Sequence, residues 1–487
     1  VRNARSIISV FLVLAAAMLG GCEINPETGK VVFNVVPPDD EREIGSEAHK
    51  QVLAEFGGVY YDPALADYVE RIGQKLVKQS EFRKFDYRFT ILDSPEINAF
   101  ALPGGYIYVT RGLLALLGSE AELAAVLGHE LAHVKARHGA QRLSRMKFEE
   151  RFCSAFVCDF ELPVLGDMAQ VGLDLAFGGF TKAQELESDD LGIFYMQRAG
   201  YDPLAMASFL RKLKAQAELE AEAAGLTPGQ QKAKGYSSTH PLTEDRIAKA
   251  IELTEPRSAV TGERGEWDYL ANIDGLLYGN RREYGFVIGN SFLHPIRQIA
   301  FDAPDDYRLY PDSRRVTGIG RNGAIMLFEP SRRLVRGSML DYLKSIWAEG
   351  VALRDARSLM INGMDAATAW IRQETKRGLV DFRLVAIRAD TGIVYRFLFI
   401  SPASMTRRVS EGMREITYSF RTIDAEQAQQ LKPRRIRIVG VGNGDSVFGF
   451  AARSRFRDNA IRRFSILNGI EPGAKLKPGR IVKIVTE

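Results

Sequence analysis

The chain has 487 residues, 46% of them hydrophobic and 26% charged, proportions of an ordinary water-folded protein that exclude wholesale disorder, a collagen-like fibre and a multi-span membrane architecture. The length suits about three domains of roughly 150 residues each. With 65 basic and 61 acidic residues the net charge is only +4, too small to point to nucleic acid. The three cysteines, Cys22, Cys153 and Cys158, are too few for a disulfide-stapled scaffold.

Arg2 and Arg5 precede an apolar run from Ile7 to Leu19, which is shorter than the roughly 20 residues a membrane-spanning helix needs. A basic start, a short apolar stretch and small residues before a cut are the parts of a secretory signal, here residues 1–21. Leu19-Gly20-Gly21-Cys22 resembles the bacterial lipobox, and the resemblance implies lipidation of Cys22 and a protein anchored to the membrane rather than spanning it. By resemblance to enterobacterial sorting rules, Glu23 in place of aspartate after the cysteine favours the outer membrane of a Gram-negative cell. Residues 22–40 are polar and contain proline, and are expected to be a tether, with everything downstream in the periplasm.

Further along, Gly104-Gly105 reads as a turn and Tyr106 to Thr110 as a short strand. As an edge strand it can hold an extended peptide through Tyr106, Ile107 and Tyr108; as an ordinary core strand it packs, and both readings stand. From Glu120 to His138 the apolar positions Leu123, Val126, Leu127, Leu131 and Val134 recur every three or four residues, which predicts a buried amphipathic helix. Within it lies His129-Glu130-Leu131-Ala132-His133. Two imidazoles four residues apart share a helix face and can bind one zinc ion, with Glu130 beside them as the base that acts on water.

A catalytic zinc keeps three protein ligands and an open position. His138 points to a different face if the helix continues, and reads as a surface residue or one that stands behind a ligand rather than as a ligand itself. The metzincin pattern fails, because Ala136 and Gly139 stand where it needs glycine and histidine. In Glu185-Leu186-Glu187-Ser188-Asp189, Glu185 and Asp189 share a helix face while Glu187 points elsewhere. Glu185 is the expected third ligand and Asp189 the group that orients a ligating histidine. Cys153 and Cys158 can pair in an oxidising compartment only if the helix breaks between them. Residues 162–180, rich in leucine, glycine and phenylalanine, read as part of the core, a lid over the cleft or a surface for unfolded polypeptide.

These elements, with Asn98 to Val109 before them and Thr239-His240-Pro241 and Arg246 after them, resemble the HtpX-like and CAAX-prenyl-endopeptidase group of gluzincin metallopeptidases, particularly its soluble periplasmic branch. The resemblance spans roughly Asp40 to Ile251. It implies a zinc metalloendopeptidase with one zinc per chain, in which His240 or Arg246 stabilises the oxyanion, or His240 occupies the open zinc position as a self-inhibitor.

After a boundary at Glu255 to Gly265 the texture turns strand-like. Strands are predicted at Ile299–Phe301, Ala324–Phe328, Phe382–Arg388, Val394–Ile400 and Ile416–Phe420, with helices near Met339–Glu349 and Met405–Arg414. This order suggests an α+β sandwich that vaguely resembles PsbP-type domains. His294 reads as structural. No tetratricopeptide pattern is visible. Residues 432–487 carry 13 basic and 4 acidic residues, and Gly444 to Val485 resembles a LysM module of strand, two helices and strand. This implies contact with peptidoglycan; the arginines can instead meet lipopolysaccharide phosphates, an anionic outer-membrane surface or the protein's own acidic half, or the module is only a structural cap.

The expected architecture is therefore an α+β multidomain chain. It has a signal peptide (1–21), a tether (22–40), a mostly helical zincin-type protease domain with a small sheet (41–255), an α+β sandwich (266–430) and a βααβ LysM-like module (432–487). The expected function is zinc-dependent peptide hydrolysis, and the resemblance implies misfolded or stalled envelope polypeptides as its substrates. The alternatives are an outer-membrane assembly factor with a largely self-inhibited zinc site, and a peptidoglycan hydrolase; nucleic acid is not an expected partner.

Overall fold

The structure is a computed structural model describing residues 22–487 except 26, 82–83, 147–177, 224–235, 242–243, 255–261, 321–322, 332–336, 376–377, 390–391 and 457. The signal segment with Leu19 to Gly21, the cysteines 153 and 158, and most of 162–180 lie outside the described residues. The chain is a mixed α and β multidomain protein. Among the described residues no helix is long and apolar enough to cross a membrane.

The segment expected to be a tether is instead pinned to the protein. Strands β1 (Cys22–Ile24) and β2 (Val31–Phe33) form an antiparallel hairpin. Its turn is closed by the Asn25 carboxamide, which accepts from the backbone of Glu27 and Thr28 at 2.9 and 3.1 Å and donates to Ala136 O at 2.7 Å. Arg137 reaches Glu23 at 2.6 Å and Tyr195 donates to Glu27 at 2.6 Å. These partners lie more than a hundred residues away in sequence, so local composition could not reveal them.

Helix α1 (Pro38–Glu55) starts on a proline and puts Asp39, Asp40 and Glu41 in its first turn, where the helix dipole favours negative charge. Helix α2 (Pro63–Val77) is capped by Asp62. A three-stranded sheet follows, ordered β3 (Arg88–Leu92), β5 (Tyr106–Thr110), β4 (Ala99–Leu102). Its central strand β5 pairs parallel with β3 and antiparallel with β4. Helix α3 (Arg111–Leu116) leads to α4 (Glu120–Lys135), whose N-cap Ser119 accepts from Glu122 N.

Every residue of α4 is buried, so it is the central rod of its domain and not the one-faced helix its apolar spacing suggests. Small residues permit this. α4 crosses α5 (Lys182–Arg198) where Gly128 meets Gly192. A Cβ on Gly192 would stand 3.1 Å from His129 N, so a side chain there would push apart the two helices that carry the chemistry. Helices α6 (Leu204–Ala223), α7 (Tyr236–Thr239), α8 (Glu244–Thr254) and α9 (Glu266–Ile273) complete this layer.

The C-terminal residues return to this layer. Strand β6 (Leu277–Tyr278) pairs with β18 (Arg434–Gly440), which pairs antiparallel with β19 (Ile481–Thr486); helices α13 (Val447–Arg453) and α14 (Ala460–Asn468) lie between β18 and β19. Ile436, Ile466, Leu467 and Val485 share one core with Leu113, Leu123, Leu127 and Leu131. The buried amine of Lys483 donates to Ala115 O, Leu116 O and Leu117 O, the first at 2.7 Å. It thereby satisfies carbonyls that the end of α3 leaves without helical partners.

The sandwich begins at β7 (Phe286–Ile288) and pairs a four-stranded sheet, β17 (Arg421–Thr422), β9 (Ile299–Asp302), β8 (Ser291–His294), β7, with a seven-stranded antiparallel sheet. The larger sheet runs β10 (Tyr307–Pro311), β11 (Val316–Gly320), β12 (Ile325–Pro330), β16 (Val394–Pro402), β15 (Gly378–Arg388), β14 (Met364–Thr375), β13 (Arg354–Ile361). α10 (Met339–Tyr342) runs into a π-helical turn, Leu343–Trp347, and α12 (Ala425–Gln430) follows β17. The strand predicted at Ile416–Phe420 belongs mostly to α11 (Thr406–Ser419), whose Val409, Met413 and Ile416 face the core at helical spacing.

His294 supplies a pH test for this domain. It is buried, its Nδ1 accepts from Arg297 N at 3.2 Å, and burial followed by the charge of Arg297 lowers its pKa to about 4. The unfolded chain binds that proton at about 6.5. Stability is therefore complete above about 6.5 and declines as pH falls from there toward 4. His294→Asn, which keeps an acceptor and does not titrate, should flatten that part of the curve of unfolding midpoint against pH.

Candidate functional site

One helical turn of α4 places His129 and His133 side by side, with their Nε2 atoms 3.0 Å apart. Crossing α4, helix α5 delivers Glu185, whose Oε1 is 3.4 Å from His133 Nε2 and whose Oε2 is 3.5 Å from His129 Nε2. Just after α7, His240 brings Nδ1 to 3.2 Å from His129 Nε2 and 3.0 Å from Glu185 Oε1. Among the described residues these four buried side chains form a group that can hold a metal ion, their donor atoms all within 4.8 Å of one another.

The donor set fits such an ion. Three imidazoles and a carboxylate converge away from water, and nitrogen and oxygen donors of this kind suit zinc. Both oxygens of Glu130 and Nε2 of His240 are buried without a hydrogen-bond partner, and Glu130 Oε1 lies 3.4 Å from that nitrogen. Burial raises the Glu130 pKa, which suits a group that must take and return a proton near neutral pH. Burial alone would also raise Glu185, but the charge of His240 and hydrogen bonds from His129, His133 and His240 hold it well below the carboxylate range.

Behind each α4 imidazole runs a separate chain of polar contacts. His129 Nδ1 meets Asp189 Oδ1 at 2.8 Å, and Arg246 grips Asp189 with Nε at 2.7 Å and Nη2 at 2.8 Å. Arg246 Nη1 is 2.8 Å from Glu185 Oε2 and donates to Pro241 O at 3.3 Å. The guanidinium is thus committed to two carboxylates and a carbonyl. The oxyanion role expected for Arg246 does not fit this geometry; it positions Asp189 and Glu185 instead.

The second chain runs through His138, expected either at the surface or behind a ligand and found behind His133, and through Glu187, which was expected to point elsewhere. Arg137 takes a left-handed backbone, φ 56°, at the end of α4. The chain turns there and His138 swings back beneath His133 with 3.0 Å between their Nδ1 atoms. His138 Nε2 lies 3.0 Å from Glu187 Oε2, and Lys30 of the N-terminal hairpin donates to Glu187 Oε1 at 2.6 Å. His138 and then Lys30 hold the Glu187 carboxyl at about 2 against the effect of burial. Partners behind a ligating histidine fix its ring, and losing one typically weakens metal binding about 10- to 100-fold. Glu187→Gln should lower metal affinity by that order in a chelator competition, whereas Glu187→Asp should recover part of it.

Phe180, the described end of the leucine- and glycine-rich segment, stacks on His133 with ring centres 3.8 Å apart, and Tyr236 stacks on His240 at 4.4 Å. Tyr236, with its buried hydroxyl unpartnered, was missed by sequence reasoning because the polar stretch around it carries no helical or strand period. Tyr106, Ile107 and Tyr108 lie in the central strand β5, where both hydrogen-bonding edges are taken. They cannot receive a peptide strand, and the edge of this sheet on the α7 side is β4, just before which Ile97 O accepts from Tyr236 N at 3.0 Å.

The sequence profile of Peptidase family M48 matches residues 63–254. Mitochondrial metalloendopeptidase OMA1 of Schizosaccharomyces pombe is 31% identical over 251 residues, covering 50% of this chain and 69% of that protein. Beta-barrel assembly-enhancing protease is 28% identical over 282 residues in Escherichia coli K12, covering 55% of each chain, and 29% over 245 residues in Yersinia pestis, covering 48% of each. The chain therefore spans about half the length of the latter two relatives. Cyanobacterial PsbP from Synechocystis aligns with 28% of this chain and 95% of its own at 12% identity and a TM-score of 0.23, too low to carry an argument. With its HExxH helix, its glutamate helix and this similarity to metalloendopeptidases, the chain belongs to peptidase family M48 and is a metalloendopeptidase.

Proposed function

We propose that this metalloendopeptidase uses one zinc ion, held by His129, His133 and Glu185, to cleave misfolded or stalled polypeptides of the bacterial envelope. The observation that carries the reading is the unpartnered Glu130 carboxylate buried against the four-residue donor group. When bound, zinc supplies Lewis acidity toward water and a peptide carbonyl. Glu130 takes the proton of the attacking water and returns it to the leaving amine. Asp189 and Arg246 keep the His129 ring fixed, and Nε2 of His240 is the free donor beside Glu130 that can hold the carbonyl oxygen. The edge of β4 aligns an extended peptide across the site.

Location and substrate class rest on other observations. The lipobox-like Leu19 to Cys22 supports a lipid anchor in the periplasm at the outer membrane, and the similarity to proteases named for β-barrel assembly supports envelope polypeptides as substrates. The basic, LysM-like 432–487 segment supports contact with peptidoglycan or an anionic outer-membrane surface. A second reading, an assembly factor with a largely self-inhibited site, is favoured by His240 Nδ1, which stands within the donor group itself.

The test is to trap substrates in the envelope with Glu130→Gln, alongside metal analysis of the purified protein. Co-purified envelope polypeptides and one zinc per chain support the proposal; absence of zinc removes it. For His240→Ala, increased peptide cleavage supports self-inhibition and decreased cleavage supports assistance. Unchanged zinc content together with unchanged cleavage removes both roles.

A further inference from the structure

Arg383 on β15 is 7% exposed and lies far from the peptidase chemistry, in the sandwich. Strand register places it opposite Trp370 of β14, while Thr368, two residues before Trp370, lies opposite Arg357 of β13. These four side chains therefore share one face of the sheet. The guanidinium sits 5.7 Å from the Trp370 ring centre, and its Nε is 3.5 Å from Thr368 Oγ1. On α11, Arg414 and Tyr418 lie one turn apart and their charges are felt at Arg383: burial pulls its pKa down, Tyr418 opposes this, and the charges of Arg414 and Arg357 carry it further, to about 10.

Among the described residues no carboxylate pairs with Arg357, Arg383 or Arg414. The acid on the same strand, Asp381, is already held by Arg372 at 2.6 Å and by Thr406 at 2.7 Å. A buried cation without a counter-charge is unfavourable, and two more cations beside it worsen the imbalance. One carboxylate would leave two charges uncompensated. A phosphate group brings between one and two negative charges and three strong acceptor oxygens, and guanidinium forks match it.

We propose that this corner of the sandwich is a binding site for a phosphate-class anion, with Arg383 as its floor, Arg357 and Arg414 as its rim and Trp370 as a flanking wall. The phosphate is either free or presented by a lipid headgroup. This goes beyond the peptidase reading and stands without it.

The experiment compares the metal-loaded full chain with Arg383→Met and with the rim variant Arg357→Gln/Arg414→Gln. Thermal unfolding is followed in inorganic phosphate and in sodium chloride of the same ionic strength. Co-sedimentation uses phosphatidylcholine vesicles with and without phosphatidic acid. General salting effects of phosphate act on all three proteins alike, so the informative quantity is the excess in the parent chain. Excess stabilisation by inorganic phosphate, with an apparent affinity about tenfold weaker in the rim variant, assigns a free phosphate. Arginine-dependent retention only by vesicles containing phosphatidic acid assigns a lipid headgroup. Equal behaviour of the parent and the rim variant toward both probes overturns the proposal, and because the rim side chains are exposed that comparison holds even if Arg383→Met disturbs the sheet.

Discussion

Glu130→Gln lowers the rate of peptide hydrolysis about 100- to 10,000-fold, the range expected when a general base is lost, and leaves the bound metal in place. Glutamine has the same shape but cannot take up a proton. Glu130 does not belong to the donor group, and its oxygens have no hydrogen-bond partner to lose. The loss should fall on kcat with KM little changed, because the side chain acts on the reacting atoms rather than on peptide binding. Thermal stability should hold or rise slightly, since a buried carboxylate is exchanged for a neutral amide. Kinetics on an unfolded protein substrate with metal analysis of the same sample decide the matter. Near-parental kcat would remove Glu130 as the base; loss of metal would show that it helps to hold the ion.

Lys483→Met destabilises the whole peptidase layer by about 2–4 kcal/mol, the range for a buried polar group whose partners are left behind. Methionine fills similar volume but donates nothing, so the carbonyls of Ala115, Leu116 and Leu117 lose the amine that satisfies them. These residues immediately precede Ser119, the N-cap of the helix that carries His129, Glu130 and His133. Metal affinity should therefore weaken along with the denaturation midpoint, although Lys483 is nowhere near the site. Denaturant unfolding read both by overall structure and by metal release tests this. A variant that loses the C-terminal strands while the metal centre keeps parental stability would contradict it.

Local chemistry was the legible part of this chain. His129, Glu130 and His133 announce themselves because a helical turn is a short-range object, and Glu185 with Asp189 follow the same rule on a second helix. What the sequence concealed depends on pairing at a distance or on a single torsion. The helical wheel sends His138 away from the site until Arg137 turns left-handed and returns it. Strand β5 looks the same in sequence whether it lies at the edge or in the centre, because only its neighbours differ. The hydrophobic and aromatic residues of Ile416–Phe420 suit a strand, yet Val409, Met413 and Ile416 are spaced for the helix they form. Residues 22–33 look like a linker until Asn25 meets the turn that ends α4 and Glu27 and Lys30 meet partners on α5.

The bond from Lys483 to Ala115 joins residues 368 positions apart, and contacts of such separation form late in folding. A chain delivered from its N-terminus presents the HExxH helix long before β19 can close the core around it. Until β19 packs, the helix that carries His129, Glu130 and His133 lacks part of its core and the Lys483 amine that holds the segment before it. The reactive helix thus completes its frame only when the chain has closed a loop of 368 residues, which makes its alignment a property of the whole fold rather than of the motif.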